Sequence, residues 1–231
     1  RKIRIGDCMK GKKTVIIQNN RLHYKFDIKR NITIIQGNSA TGKTTLINMI
    51  RQAENLGPSS GIDVSCEVPC RVLEGINWKI ILENSTACIF FVDEENAFIK
   101  TEEFASAVRN SPSYFVLITR ENLYNLPYSV EEIYGLHISG KYRDTRKTYQ
   151  EIYRIYQETS RVPIVPKKII TEDSNSGYQF FNAICAQKQI ACGSAGGKTK
   201  ILETLHQVGE EETCVIADGA AIGPEMNLLS H

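Results

Sequence analysis

The chain has 231 residues, 42% of them hydrophobic, and a formal net charge of +2. That apolar content excludes general disorder, and the weak charge gives no argument for a nucleic-acid partner while leaving room for a local basic face. No apolar run reaches the roughly 18 residues that a membrane span needs, so no membrane partner is expected.

The length fits one large domain or two small ones. The first residue is Arg1 rather than Met, so the chain reads as a fragment or as the ordered part of something longer. In chain order, residues 13–18 (KTVIIQ) and 22–28 (LHYKFDI) read as two strands about a turn at 19–20. Residues 31–36 (NITIIQ) read as a buried strand running into a glycine-rich loop, and 43–55 as a helix stopped by Gly57 and Pro58. Residues 57–70 read as a loop and 72–84 as a helix. A wholly apolar strand follows at 87–92 (ACIFFV), then a helix at 100–109 and another buried strand at 114–119 (YFVLIT). Strands apolar on both faces that alternate with helices predict an α/β fold, a parallel sheet covered on both sides. Over 131–157, EEIYGLHIS is strand-like, whereas TYQEIYRIYQE reads either as a strand or as a charged helix.

SRVPIVPKK at 160–168 reads as a linker between a domain at 1–159 and a smaller one at 169–231. There the pattern restarts as βαβαβ: KKIIT, a helix over SGYQFFNAICAQK, QIAC, a helix over KTKILETLHQV, then TCVIA. About 60 residues is short for an independent core, which leaves open that this domain is incomplete. The seven cysteines are an odd number without framework spacing. They read as reduced thiols of a cytoplasmic protein, with Cys88, Cys192 and Cys214 sitting in apolar runs. Cys66 and Cys70 have the spacing of half a zinc site, but no second Cys/His pair lies nearby.

Gly37-Asn38-Ser39-Ala40-Thr41-Gly42-Lys43-Thr44 fits G-x-x-x-x-G-K-[ST] between a strand and a helix. The backbone N–H groups of such a loop turn inward around a β-phosphate, and Gly37 and Gly42 permit the angles this needs. The phosphate sits at the positive end of the following helix. Phosphate contacts are therefore expected from Gly37 through Thr45, with Lys43 neutralising the β- and γ-phosphates and the Thr44 hydroxyl placed for Mg²⁺. The strand ACIFFV ends in Asp93-Glu94-Glu95. Beside an intact phosphate loop, Asp93 is expected to orient the Mg²⁺ water shell and Glu94 to polarise the attacking water. Taken alone, the three carboxylates equally suit a helix start.

Residues 13–120 resemble a P-loop NTPase of the ATPase kind, and the strand pair followed by NITIIQGNSATGKTTLINMI is similar to the start of an ABC-type ATPase domain. The resemblance implies ATP as ligand, Mg²⁺ as cofactor, catalytic roles for Lys43 and Glu94, and self-association that completes the site. Two departures stand out. No LSGGQ-like signature lies between the motifs, and the interval is too short for the helical subdomain that carries it. Thr119-Arg120 ends the next strand where ABC proteins place a histidine. An AAA-type or RecA-like reading makes Thr119 a polar sensor and Arg120 a phosphate-facing charge; the alternative for Arg120 is a solvated helix start. No N-K-x-D base-reading motif occurs, so the analogy favours ATP over GTP.

Gly-Lys-Thr recurs in GSAGGKTK at 193–200. Cys192 stands where the first glycine belongs and Gly193 comes one residue late, so a Cβ hinders the tight wrap. A glycine-rich βα connection is expected here instead of a second phosphate loop. Glu172 and Asp173 end one strand and Asp218 another, and parallel strands collect such carboxylates at one edge, where a divalent metal binds. Over 167–226 the order strand–Glu, helix, strand–Gly-rich turn, helix, strand–Asp-Gly resembles a Toprim domain, the metal-dependent phosphodiester module of topoisomerases, primases and OLD-family nucleases. OLD-family proteins join an ABC-like ATPase to a Toprim domain in this order. The resemblance implies metal ligation by Glu172 and Asp218 and a nucleic-acid contact through this domain. Asp218-Gly219-Ala220 departs from the family's Asp-x-Asp. Weak metal binding and little or no DNA cleavage are therefore expected, unless Asp173 or Glu225 substitutes.

The sequence thus predicts an ATP-binding protein, a Mg²⁺-dependent ATP hydrolase with a Toprim-like C-terminal domain. Two other classes stay open. One is a P-loop kinase, for which GKYRDTRKTY at 140–149 is the nearest lid candidate. The other is a nucleotide sensor that binds without turnover.

Overall fold

β1 (Lys13–Gln18) and β2 (Leu22–Ile28) alternate polar and apolar residues and pair as an antiparallel hairpin, Gln18 opposite His23. The Asn19 side chain closes the turn by accepting from the backbone N–H of Arg21 and Leu22 at 2.8 and 2.7 Å, a common asparagine turn device. The computed structural model describes residues 11–37, 42–142, 146–157, 165–208 and 212–229.

β3 (Ile32–Ile35) is buried along its whole length and leads through the glycine-rich loop to α1 (Lys43–Leu56). β4 (Asp63–Ser65), β5 (Cys70–Val72), α2 (Trp78–Glu83), β6 (Ile89–Asp93), α3 (Glu102–Asn110) and β7 (Tyr114–Ile118) follow, then β8 (Ile133–Ile138) and β9 (Thr148–Arg154). One sheet holds nine strands in the order β4-β1-β2-β9-β8-β3-β7-β6-β5. From β8 to β5 every neighbouring pair is parallel. On one face α1 buries Leu46, Ile47, Met49 and Ile50 against β1, β2 and the core strands. On the other, Trp78 of α2 and Phe104 and Val108 of α3 pack on Phe90, Phe115 and Leu117. Helices therefore cover both faces of the parallel strands, as their two-sided apolarity predicts.

Two sequence expectations are corrected. The segment 57–70, read as a loop, contains β4 and the start of β5, and the helix expected over 72–84 shrinks to α2. Both strands have three residues and are specified by pairing partners, Cys70 with Ile89 and Ile17 with Val64, more than by local pattern. The ambiguous stretch resolves into strands: β9 runs antiparallel to β8 and turns Gln150 into the interior.

A second, three-stranded sheet is wholly parallel, in the order β11-β10-β12. It consists of β10 (Lys168–Thr171), α4 (Ser176–Lys188), β11 (Ala191–Ser194), α5 (Ile201–Val208) and β12 (Thr213–Ile216), with a last short helix, α6 (Met226–Leu229). Most of the linker expected at 160–168 falls on 158–164, outside the described residues. The small core of Ile170, Ala195, Ile201 and Ile222 leans on Val130 of the first unit. Val130 N–H donates to Gly219 and Gly223 N–H to Tyr128, both at 3.1 Å. A Cβ on Gly223 would lie 2.5 Å from the Tyr128 carbonyl oxygen, so only glycine permits this approach. Among the described residues no helix is long and apolar enough to cross a membrane.

Candidate functional site

β3 delivers the chain to the carboxyl edge of the parallel strands, where α/β sheets hold their ligands. Gly37 has φ +140°, and Gly42 caps α1 with φ +94°. Both values lie in the region that glycine alone enters without strain. A Cβ on Gly37 would sit 3.7 Å from Lys43 Nζ. One on Gly42 would come within 3.1 Å of Tyr24 Oη and 3.2 Å of Gln150 Nε2. Lys43 opens α1, and its ammonium donates to the Gly37 carbonyl. No acidic residue lies in the first turn of α1, so the positive end of the dipole is not offset by a carboxylate there. Thr44 and Thr45 are exposed on that turn. Asn38, Ser39, Ala40 and Thr41 lie outside the described residues.

The sheet order places β7 between β3 and β6, so their carboxyl ends present Lys43, Arg120 and Asp93-Glu94 to one region. The side chains register this proximity. Burial pulls the Lys43 pKa below its ordinary value; Glu94 counters it, Arg120 reinforces it, and Asp93 counters it more weakly. Glu94 is held at both oxygens. Arg120 Nε lies 2.9 Å from Oε1, and the Arg120 backbone N–H donates to Oε2 at 2.6 Å. The guanidinium, read from the sequence either as phosphate-facing or as a solvated helix start, turns back onto the candidate base. Thr119 is buried, and its hydroxyl donates to the Glu121 carbonyl at 3.0 Å while accepting from the Glu121 N–H at 2.9 Å. That local turn engages the hydroxyl within its own segment.

Asp93 at the end of β6 and the exposed Thr44 hydroxyl in the first turn of α1 make the sparse kind of protein donor set that suits Mg²⁺ held mainly by phosphates and water. The chemistry fits a phosphate-bound Mg²⁺ better than a self-sufficient metal cage.

In the second sheet, Glu172 directly follows β10 and Asp218 comes two residues after the end of the adjacent β12, at the same edge. Glu172 Oε2 accepts from the Asp218 N–H at 2.9 Å, and Asp218 Oδ1 from the Ala220 N–H at 2.9 Å. Neither substitute ligand joins them. Asp173 accepts from the N–H groups of Gly177 and Tyr178 at 3.1 and 2.9 Å, which fixes the start of α4. Glu225 is buried 3.7 Å from Lys198 Nζ. Among the described residues no group of three or more acids, histidines or cysteines is placed to hold a metal, the Cys66–Cys70 pair included. The second Gly-Lys-Thr forms a βα connection: Gly196 and Gly197 have φ +73° and +135°, and Lys198 begins a single 3₁₀ turn before α5. Lys198 Nζ donates to the Ala221 carbonyl at 3.3 Å.

Sequence reasoning missed Tyr24 and Gln150, which approach the loop from the antiparallel strands. Tyr24 is fully buried and donates to the Gly42 carbonyl at 3.1 Å, and burial pushes its phenol up to about 12. The inward phase of LHYKFDI marks Tyr24 as buried, but no linear signal aims it at residue 42. Compared with known proteins, the chain matches no family model and no curated protein.

Proposed function

We propose that the protein binds ATP with Mg²⁺ at the β3–α1 loop and hydrolyses it slowly. The observation that carries this reading is the meeting of Lys43, Asp93 and Glu94 beyond the carboxyl ends of β3 and β6, across β7. In that arrangement Lys43 leaves the Gly37 carbonyl to pair with phosphate oxygens, which relieves its desolvation. Thr44 and Asp93 are the residues that would hold Mg²⁺, which when bound neutralises charge on the phosphates. Glu94 orients a water and accepts its proton. As built, Glu94 is restrained by Arg120, and a base already accepting two hydrogen bonds is a weak one. That restraint favours slow turnover, and it also supports a second reading, a nucleotide sensor that binds ATP without hydrolysis.

We further assign the C-terminal unit to a Toprim-like module with lost or weak nuclease chemistry. Glu172 and Asp218 supply two carboxylates at one sheet edge, and Ala220 stands where a third would. The chain should bind ATP with Mg²⁺ and release inorganic phosphate without an acceptor. Binding without phosphate release selects the sensor; phosphate appearing only on an added small acceptor selects a kinase; no ATP binding rejects the assignment.

A further inference from the structure

β2 and β9 pair over only three residues, from Leu22 opposite Thr148 to Tyr24 opposite Gln150. Beyond that point β2 stays with β1 and β9 stays with β8. Among the described residues, Lys25–Ile28 and Glu151–Arg154 have no strand pairing to each other, so the sheet forks. A sheet normally satisfies such facing backbone edges by continuing the ladder; a fork leaves them to water or a ligand. A cavity of about 550 Å³ fills the fork, within the range of small-molecule sites.

Its lining is cationic. Lys25, Lys29, Lys141 and Arg154 face it against Asp27 and Glu151. Asp27 is already engaged by Lys12 and Thr14. Lys25, Lys29 and Lys141 make no ion pair among the described residues. Gln150 borders the same space, while its amide turns away to Gly42 on the other face of the β2–β9 pair. His23 and Tyr149 also line it, with ring centroids 4.8 Å apart at 43°. Lys147 and Lys25 help burial to hold the His23 pKa below its ordinary value, as a locally positive field requires.

We propose that this fork is a binding site for a phosphate monoester carrying a flat ring, the chemistry of a nucleoside monophosphate. The phosphate lies among Lys25, Lys29 and Lys141. The ring lies against His23 and Tyr149. The site is separate from the β3–α1 loop and does not rest on ATP binding there.

The test is calorimetric titration of the whole chain with AMP, with adenosine and inorganic phosphate as half-ligands. AMP should bind at least about tenfold more tightly than either half. Combined Lys25→Glu and Lys29→Glu should weaken AMP at least about tenfold while melting behaviour is kept. Lys141→Glu, outside the strands, gives the same loss if the double variant fails to fold. Lys43→Ala should leave AMP binding unchanged. The proposal is overturned if AMP does not bind at millimolar concentration, or if binding survives the lysine reversals but is lost in Lys43→Ala, which places the nucleotide in the loop instead. Binding of a single-stranded oligodeoxythymidylate without AMP binding overturns it as well.

Discussion

The chain spells Gly-Lys-Thr twice, and the fold treats the two copies differently. Lys43 opens a 14-residue helix, is 7% exposed, and lies in the combined field of Glu94, Arg120 and Asp93. Lys198 opens a single 3₁₀ turn, donates to the Ala221 carbonyl and pairs with Glu225. The first lysine is held in a costly, desolvated place that a phosphate would relieve; the second is a strut between two parts of the small unit. The two lysines differ in what surrounds them: a desolvated cation near two acids and an arginine in one case, a carbonyl and a single carboxylate in the other.

The sharpest way to break this comparison is to remove each lysine. Lys43→Ala should weaken ATP binding about 30-fold or more, the loss of a charge-assisted contact of 2 kcal/mol or more. It should leave the melting temperature unchanged or raised, because a desolvated cation is gone. Lys198→Ala should do the reverse. ATP binding stays within about twofold, and the melting temperature falls because Glu225 is left buried without its cation. Equal losses of ATP binding in the two variants would erase the distinction.

Within the first site, Glu94→Gln should keep ATP binding and slow phosphate release by about 10²–10⁴. Release at the parent rate would place the base elsewhere. Arg120→Ala separates restraint from catalysis. If Arg120 only holds Glu94, freeing one carboxylate oxygen raises turnover a few-fold at unchanged affinity; a drop in turnover would put the guanidinium on the phosphate. Tyr24→Phe removes the hydrogen bond to the Gly42 carbonyl, worth about 0.5–1.5 kcal/mol, and should weaken ATP about two- to tenfold. The matching substitution Tyr128→Phe, under the second unit, should not change ATP affinity.

The smallest effect concerns the opposite edge of the sheet. Glu132 is 1% exposed, and Thr33 and Tyr134 hydroxyls lie 3.5 and 3.4 Å from its Oε2. Burial raises its pKa, against Arg30, Arg154, Lys29 and the Tyr134 hydrogen bond, which lower it. The folded state therefore holds this proton more tightly than the unfolded chain does. The stability gained is present below the ordinary carboxylate range and lost as pH rises through the raised folded value. Glu132→Gln should raise the melting temperature slightly at pH 7 and leave it unchanged at pH 4. A gain that persists at pH 4 would show that packing, not ionisation, is responsible.

Several parts were legible in the linear chain. The run NITIIQ into GNSATGKTT specified a buried strand, a loop and a helix in sequence, because apolar continuity, glycine freedom and helix initiation all act within a few residues. The same holds for ACIFFV ending at Asp93-Glu94 and for the glycine-rich βα connection at 193–200. Tertiary structure decided what meets what. Insertion of β7 between β3 and β6 turned Arg120 onto Glu94, the long return of β9 beside β2 put Gln150 next to Gly42 and opened the fork, and the fit of Gly223 on Tyr128 gave the small core its support. These follow from burial shared across the whole sheet, and strand order and register satisfy that burial only once all the strands are present.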